Sequence, residues 1–316
     1  MKSLLCFCLL LSPALAEEPT PLVIAHRGAS GYLPEHTLAA KALAFGQGAH
    51  YLEQDLVLSK DNVPVVLHDI HVDAVSDVTE KFPGRQRKDG RFYALDFTVA
   101  ELKTLNLTER FNPKTGKQVY PKRFAKGVGE FRIVTFEEEL AFVAALNRSA
   151  GRTAGVFPEI KQPAWHREQG RDISPIVVEL LHKFGYVDKA DPCYIQCFEH
   201  AEVLRLRHEL GWKGRLVQLN GAGKNDTLLT PEGLAELAKV VDATTLPVID
   251  REGRATDLAK QAHAVGLKVL SGTTFRVDEL PPYAKSPENL LKLWQEAGVD
   301  GFFTDFPDVC LKWHAR

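Results

Sequence analysis

The sequence predicts an α/β protein, a TIM-type (β/α)8 barrel carrying an insertion subdomain on its rim. Three observations lead there. Short apolar or β-branched runs alternate with helix-period segments from one end of the 316-residue chain to the other, the pattern of a parallel sheet wrapped by helices. One link, Ser59-Lys60-Asp61-Asn62, is far shorter than the dozen or so residues that a parallel crossover needs. An apolar content of 45% with 25% charged residues is that of an ordinary globular chain, long enough for one barrel.

In chain order the strand candidates are 22–26, 51–58, 63–68, 154–160, 193–198, 215–219, about 240–249, 267–271 and 299–304. Amphipathic stretches at 36–45, 135–147, 174–184, 201–210, 230–239 and 256–265 fall between them, several opened by Thr, Ser or Pro and closed by Gly. Nine candidates are one too many for an eight-stranded barrel. Because of the short link, 63–68 is expected to return antiparallel on 51–58 as a hairpin, leaving eight parallel strands. A two-residue Asp61-Asn62 loop would set His68 opposite Asp55, and a four-residue loop opposite Glu53. Either register gathers His68 with an acidic pair.

From about 70 to 131 the rhythm stops. This stretch is rich in charge, Gly and Pro, as in Lys81-Phe82-Pro83-Gly84-Arg85-Gln86-Arg87, and reads as a rim insertion, a lid or a small subdomain, with a solvated basic run.

The amino terminus reads as an export signal, residues 1–16, cut before a mature chain of 17–316: Lys2, an apolar run over 4–11, then Ala14-Leu15-Ala16. The chain is therefore expected to be exported, periplasmic in a Gram-negative bacterium and otherwise secreted. With 39 Lys+Arg against 41 Asp+Glu, no basic excess argues for nucleic acid or an anionic membrane surface. No run approaches the roughly 18 apolar residues of a membrane helix. Of the mature cysteines, Cys193 and Cys197 are too far apart along one strand to bridge, and with Cys310 they read as buried thiols.

Four fragments fall at predicted strand ends: His26-Arg27-Gly28, Glu53-Gln54-Asp55, His68-Asp69 and Glu159-Ile160-Lys161. That is where an α/β barrel places its chemistry. Strand alternation aims Glu53 and Asp55 the same way, and does so again for Glu159 and Lys161. Three carboxylates in one mouth repel, so either ion pairs with Arg27 and Lys161 or a divalent cation must neutralise them. An all-oxygen set suits Ca²⁺ first and Mg²⁺ second. His26 and His68 beside them suit an acid and a base, and Arg27 with Lys161 forms the local cationic pocket that a phosphodiester needs.

The ordered motifs Ile24-Ala25-His26-Arg27-Gly28-Ala29-Ser30, Pro34-Glu35-His36-Thr37, Glu53-x-Asp55, Val66-Leu67-His68-Asp69, Pro158-Glu159-Ile160-Lys161, Gln196-Cys197-Phe198 and Thr304-Asp305-Phe306-Pro307-Asp308 resemble the glycerophosphodiester phosphodiesterase family, most of all its periplasmic branch. The resemblance covers the mature chain. It implies a barrel enzyme that splits glycerophosphodiesters to sn-glycerol 3-phosphate and an alcohol. His26 and His68 would be the acid/base pair, Glu53, Asp55 and Glu159 the metal ligands, and Arg27 and Lys161 the phosphate clamp. Gln196 and Phe198 would border the glycerol pocket, the alternative for Phe198 being a core aromatic. One departure stands out: Thr273, in Ser271-Gly272-Thr273-Thr274-Phe275, replaces an aromatic that the family often has there. A phospholipase D-like or phosphoinositide phospholipase-like barrel acting on intact lipid is the second enzymatic reading, and the insertion offers little apolar surface for it. An exported binding protein is the non-enzymatic one.

Overall fold

The computed structural model describes residues 21–221 and 226–314; the expected export signal lies outside the described residues. Eight parallel strands close a barrel: β1 (Leu22–Ala25), β2 (Tyr51–Leu58), β4 (Gly155–Ile160), β5 (Tyr194–Cys197), β6 (Arg215–Gln218), β7 (Ala243–Leu246), β8 (Lys268–Ser271) and β9 (Gly301–Thr304). The ring closes where β1 pairs with both β9 and β2. The remaining strand, β3 (Pro64–Val66), runs antiparallel on β2, as the link length requires. No helix among the described residues is long and apolar enough to cross a membrane.

The β2–β3 register differs from both expected ones. Leu56 pairs with Val66 and Leu58 with Pro64, so the loop spans five residues, 59–63. Ser59 is the cause: its N–H donates to the Val63 carbonyl, and its hydroxyl oxygen accepts from the Val63 N–H, each at 3.0 Å. Asn62 takes the left-handed conformation (φ 62°) that Asn tolerates better than most residues. This odd loop would set His68 opposite Gln54, facing away from the carboxylates. However, β3 stops at Val66, and the chain bends out of the sheet before His68.

Alternation divides the core. Leu22, Ile24, Tyr51, Phe157, Tyr194, Leu270 and Phe303 fill the barrel, while Val23, Leu52, Leu56 and Val156 pack against the helices. Phe157 anchors the interior, stacked on Tyr194 (4.9 Å between centroids) and edge-on to Tyr51 and Phe303. A third cluster, including Val57, Val65, Leu67, Phe97, Leu102 and Ile133, lies under the rim segment. Cys193, Cys197 and Cys310 are buried free thiols.

Candidate active site

Tyr51 and Phe157 plug the barrel one step below Glu53 and Glu159 on the same strand faces, so the carboxylates stand on an aromatic floor. β2 runs beyond them to Leu58 because β3 extends it, which puts Glu53 and Asp55 in mid-strand rather than at a strand end. A cavity of about 210 Å³ opens above, lined by His26, Arg27, Glu53, His68, Glu159, Lys161, Gln196 and Phe198. Every predicted site residue except Asp55 lines it. Asp55 lies just behind, where Lys161 Nζ is 3.4 Å from Oδ1 and Arg27 Nε is 3.6 Å from Oδ2. At 39% exposure, Phe198 belongs to the cavity wall and not to the core.

Arg27 adopts a left-handed backbone (φ 59°) that turns its N–H onto Glu53 Oε2 at 2.6 Å. Gly28 follows at φ 87°, and a Cβ there would meet the Ala40 carbonyl carbon at 2.8 Å, so the turn requires glycine. Lys161 reaches Glu159 Oε1 at 2.7 Å. Gln196 Nε2 donates to Glu53 Oε1 at 3.4 Å and to the Phe157 carbonyl at 3.3 Å.

The three carboxylates are unequal. Burial, reinforced by the Asp55 charge, pushes Glu53 well above the usual carboxylate range. Burial likewise pushes Glu159 up to about 8, against the pull of Lys161. Despite its own burial, Asp55 is held well below that range, first by Lys161 and then by the histidines.

Sequence reasoning gave His36 no role. Its Nε2 lies 2.8 Å from Asp55 Oδ2, and donor atoms of His36, Glu53 and Asp55 all lie within 4.8 Å of one another. An imidazole therefore touches the carboxylates expected as ligands, and Glu159 is drawn toward Lys161. His36 escaped notice because it sits in a turn (φ 60°), outside the strand-end pattern. Asp55 Oδ1 is buried with no hydrogen bond, and two neighbouring carboxylates are reluctant to ionise beside it. Such a donor set fits a hard divalent cation.

Both predicted acid/base residues have the same kind of partner, a carboxylate at Nδ1. His26 Nδ1 lies 2.7 Å from Asp305 Oδ1, and His68 Nδ1 lies 2.7 Å from Asp69 Oδ1. A carboxylate only accepts, so each Nδ1 carries the proton and each Nε2 is left as the basic nitrogen of a cavity-lining ring. Burial, with Arg27 adding to it, lowers His26 to about 4, and the same causes lower His68.

This geometry has counterparts. Residues 26–309 match the model of the glycerophosphoryl diester phosphodiesterase family. The chain belongs to that family. It is 40% identical to a glycerophosphodiester phosphodiesterase of Haemophilus influenzae over 91% of this chain and 88% of that one. It is 37% identical to the Treponema pallidum enzyme of the same name, over 92% and 91%. A phosphodiesterase of Oleispira antarctica, solved in complex with the product sn-glycerol-3-phosphate, shares the fold with a TM-score of 0.65 at 21% identity, covering 94% of this chain and 98% of that one. The chain is thus a phosphoric diester hydrolase, and the non-enzymatic reading falls away.

Proposed function

We propose that the enzyme hydrolyses small glycerophosphodiesters, such as glycerophosphocholine and glycerophosphoethanolamine, to sn-glycerol 3-phosphate and the free alcohol, with one divalent cation, Ca²⁺ before Mg²⁺, held by Glu53, Asp55 and Glu159. The carrying observation is the pair of imidazoles, each fixed at Nδ1 by a carboxylate, lining one cavity with Arg27 and Lys161. The sn-glycerol-3-phosphate bound by the Oleispira antarctica phosphodiesterase supports the choice of product.

Arg27 and Lys161 bind the phosphate oxygens, and Gln196 with Phe198 holds the glycerol. One imidazole takes, at its free Nε2, the proton of the nucleophile that attacks phosphorus, either water or the substrate's own glycerol 2-hydroxyl, the latter forming a cyclic phosphate that a water then opens. The other, protonated, gives a proton to the departing alkoxide oxygen. When bound, the cation neutralises charge on the phosphate. Past Thr273 the cavity meets a wider hollow of about 770 Å³, lined in part by Leu246, Val248, Asp250 and Tyr283, which gives the alcohol room. In this reading the mature enzyme is exported, as in the family's periplasmic branch, and acts without inserting in a membrane; the amino-terminal mass of the protein recovered outside the cytoplasm tests this.

A coupled sn-glycerol 3-phosphate assay over a panel of headgroups, with and without chelator, tests the rest. Metal-dependent release from at least one small diester is expected. Undiminished turnover after exhaustive chelation would remove the metal, and release only from intact lipid would favour the phospholipase reading.

A further inference from the structure

Both orienting carboxylates are held by arginines of the rim segment. Arg110 Nη1 donates to Asp69 Oδ2 at 2.7 Å, so Asp69 bridges the guanidinium and His68. The other edge of the same guanidinium grips Glu35, Nε to Oε2 at 2.9 Å and Nη2 to Oε1 at 2.6 Å, and Glu35 in turn receives Arg27 Nη1 at 3.1 Å. On the opposite side of the cavity Arg123 Nη2 lies 2.8 Å from Asp305 Oδ2, the carboxylate that holds His26. Arg123 is itself 4% exposed and anchored to Asp278 by two further contacts.

A carboxylate bonded only to an imidazole can rotate and let the ring follow. A planar guanidinium on its second oxygen fixes the plane of the carboxylate, and with it the ring's tautomer and direction. We propose that Arg110 and Arg123 are positioning residues through which the rim segment sets both proton-transfer groups, Arg110 through Asp69 for His68 and Arg123 through Asp305 for His26. This rests on the reading of His26 and His68 as the acid/base pair. The two sides are unequal. Arg276 Nε, from the loop after β8, also binds Asp305 Oδ2 at 2.8 Å, whereas among the described residues Arg110 is the one arginine or lysine paired with Asp69. The barrel therefore backs up Arg123 and has no substitute for Arg110.

Arg110→Ala should lower kcat about tenfold to a hundredfold, short of the 10² to 10⁴ that proton transfer itself supplies, with KM changed less than about threefold. Arg123→Ala should lose less. Methylguanidinium should restore part of the lost kcat in Arg110→Ala, and ammonium at equal ionic strength should not. In Asp69→Asn, a near-isosteric change that spares the fold, kcat should fall similarly, and adding Arg110→Ala should then cost no more than about twofold, because the arginine acts through Asp69. Nitrogen chemical shifts of the His68 ring should show a single tautomer in the wild type and a mixture in Arg110→Ala. A raised KM with unchanged kcat would place the effect of Arg110 on substrate binding, directly or through Glu35 and Arg27, and full additivity with Asp69→Asn would make its role independent of His68; either result overturns the proposal. His68→Ala separates the levels: if it is inactive while Arg110→Ala is wild-type, only the positioning role fails. If His68→Ala is fully active, the acid/base reading fails with it.

Discussion

Behind the carboxylates, on the helix side of β2, lies a buried ionic strut whose removal has a calculable cost. Lys41 and Glu139, both 0% exposed, meet at 2.8 Å between the helices Leu38–Gln47 and Phe136–Ala150. Gln54 Nε2 donates to the same Glu139 oxygen at 2.9 Å, Gln54 Oε1 accepts the Phe157 N–H at 3.1 Å, and Lys41 Nζ donates to the Glu53 carbonyl. Glu139→Gln removes one charge and leaves the ammonium buried beside neutral acceptors, a change that costs about 3–5 kcal/mol because neither water nor a counter-ion reaches it. Lys41→Met strands the carboxylate and should cost about as much. The double variant Lys41→Met/Glu139→Gln buries no net charge and keeps an acceptor for Gln54, so it should stand within about 1–2 kcal/mol of wild type. Urea unfolding followed by tryptophan fluorescence, with m compared across all four proteins, measures this cycle. Single variants costing less than about 1 kcal/mol, or a double variant as unstable as the sum of the singles, would refute the strut as an energetically coupled pair.

Other outcomes follow from the site. His26→Ala and His68→Ala should each lower turnover by at least about two orders of magnitude with unchanged circular dichroism, and wild-type rates in either would cancel its assignment. Added Ca²⁺ should raise the Tm of chelated protein, by about 2.7 kcal/mol of stabilisation at a hundredfold excess over Kd, and Asp55→Asn should blunt that rise; an equal shift in the variant would place the ion elsewhere. Glu109 is buried with Oε2 lacking a hydrogen bond, and burial, then the charge of Glu35, pushes it up to about 8 from 4.5. The folded carboxyl thus holds its proton longer than the unfolded one, and its contribution, complete below pH 4.5, is lost as pH rises through about 8. Glu109→Gln should therefore gain Tm relative to wild type as pH goes from 5 to 8.5, and a constant difference would contradict the shift.

The barrel was legible because its two periods differ, and the hairpin because four residues cannot carry a chain back along a strand. The register was not. Past Asp55 both faces of β2 are apolar, Leu56 and Leu58 against the barrel helices and Val57 against the rim cluster, so no polar residue marks which parity is right. The choice fell to the Ser59 side chain, a local bond that periodicity does not register. Site residues on strands could be aligned by alternation, whereas His36 comes from a turn whose direction depends on a positive φ. Asp69 and Asp305 stood in the quoted motifs, yet their partnership with the two histidines, the second across 279 positions of sequence, needed coordinates.

One face of β2 passes through three environments: Tyr51 in the barrel plug, Glu53 and Asp55 at the cavity, Val57 in the rim cluster. The rim segment is consequently riveted to the strand that bears the carboxylates, and swinging it aside would expose Val57, Leu67 and Phe97 to water at about 25 cal/mol per Å² while tearing Arg110 from Asp69. Phe198 and Thr273 border the mouth as well, and past Thr273 the wide hollow begins.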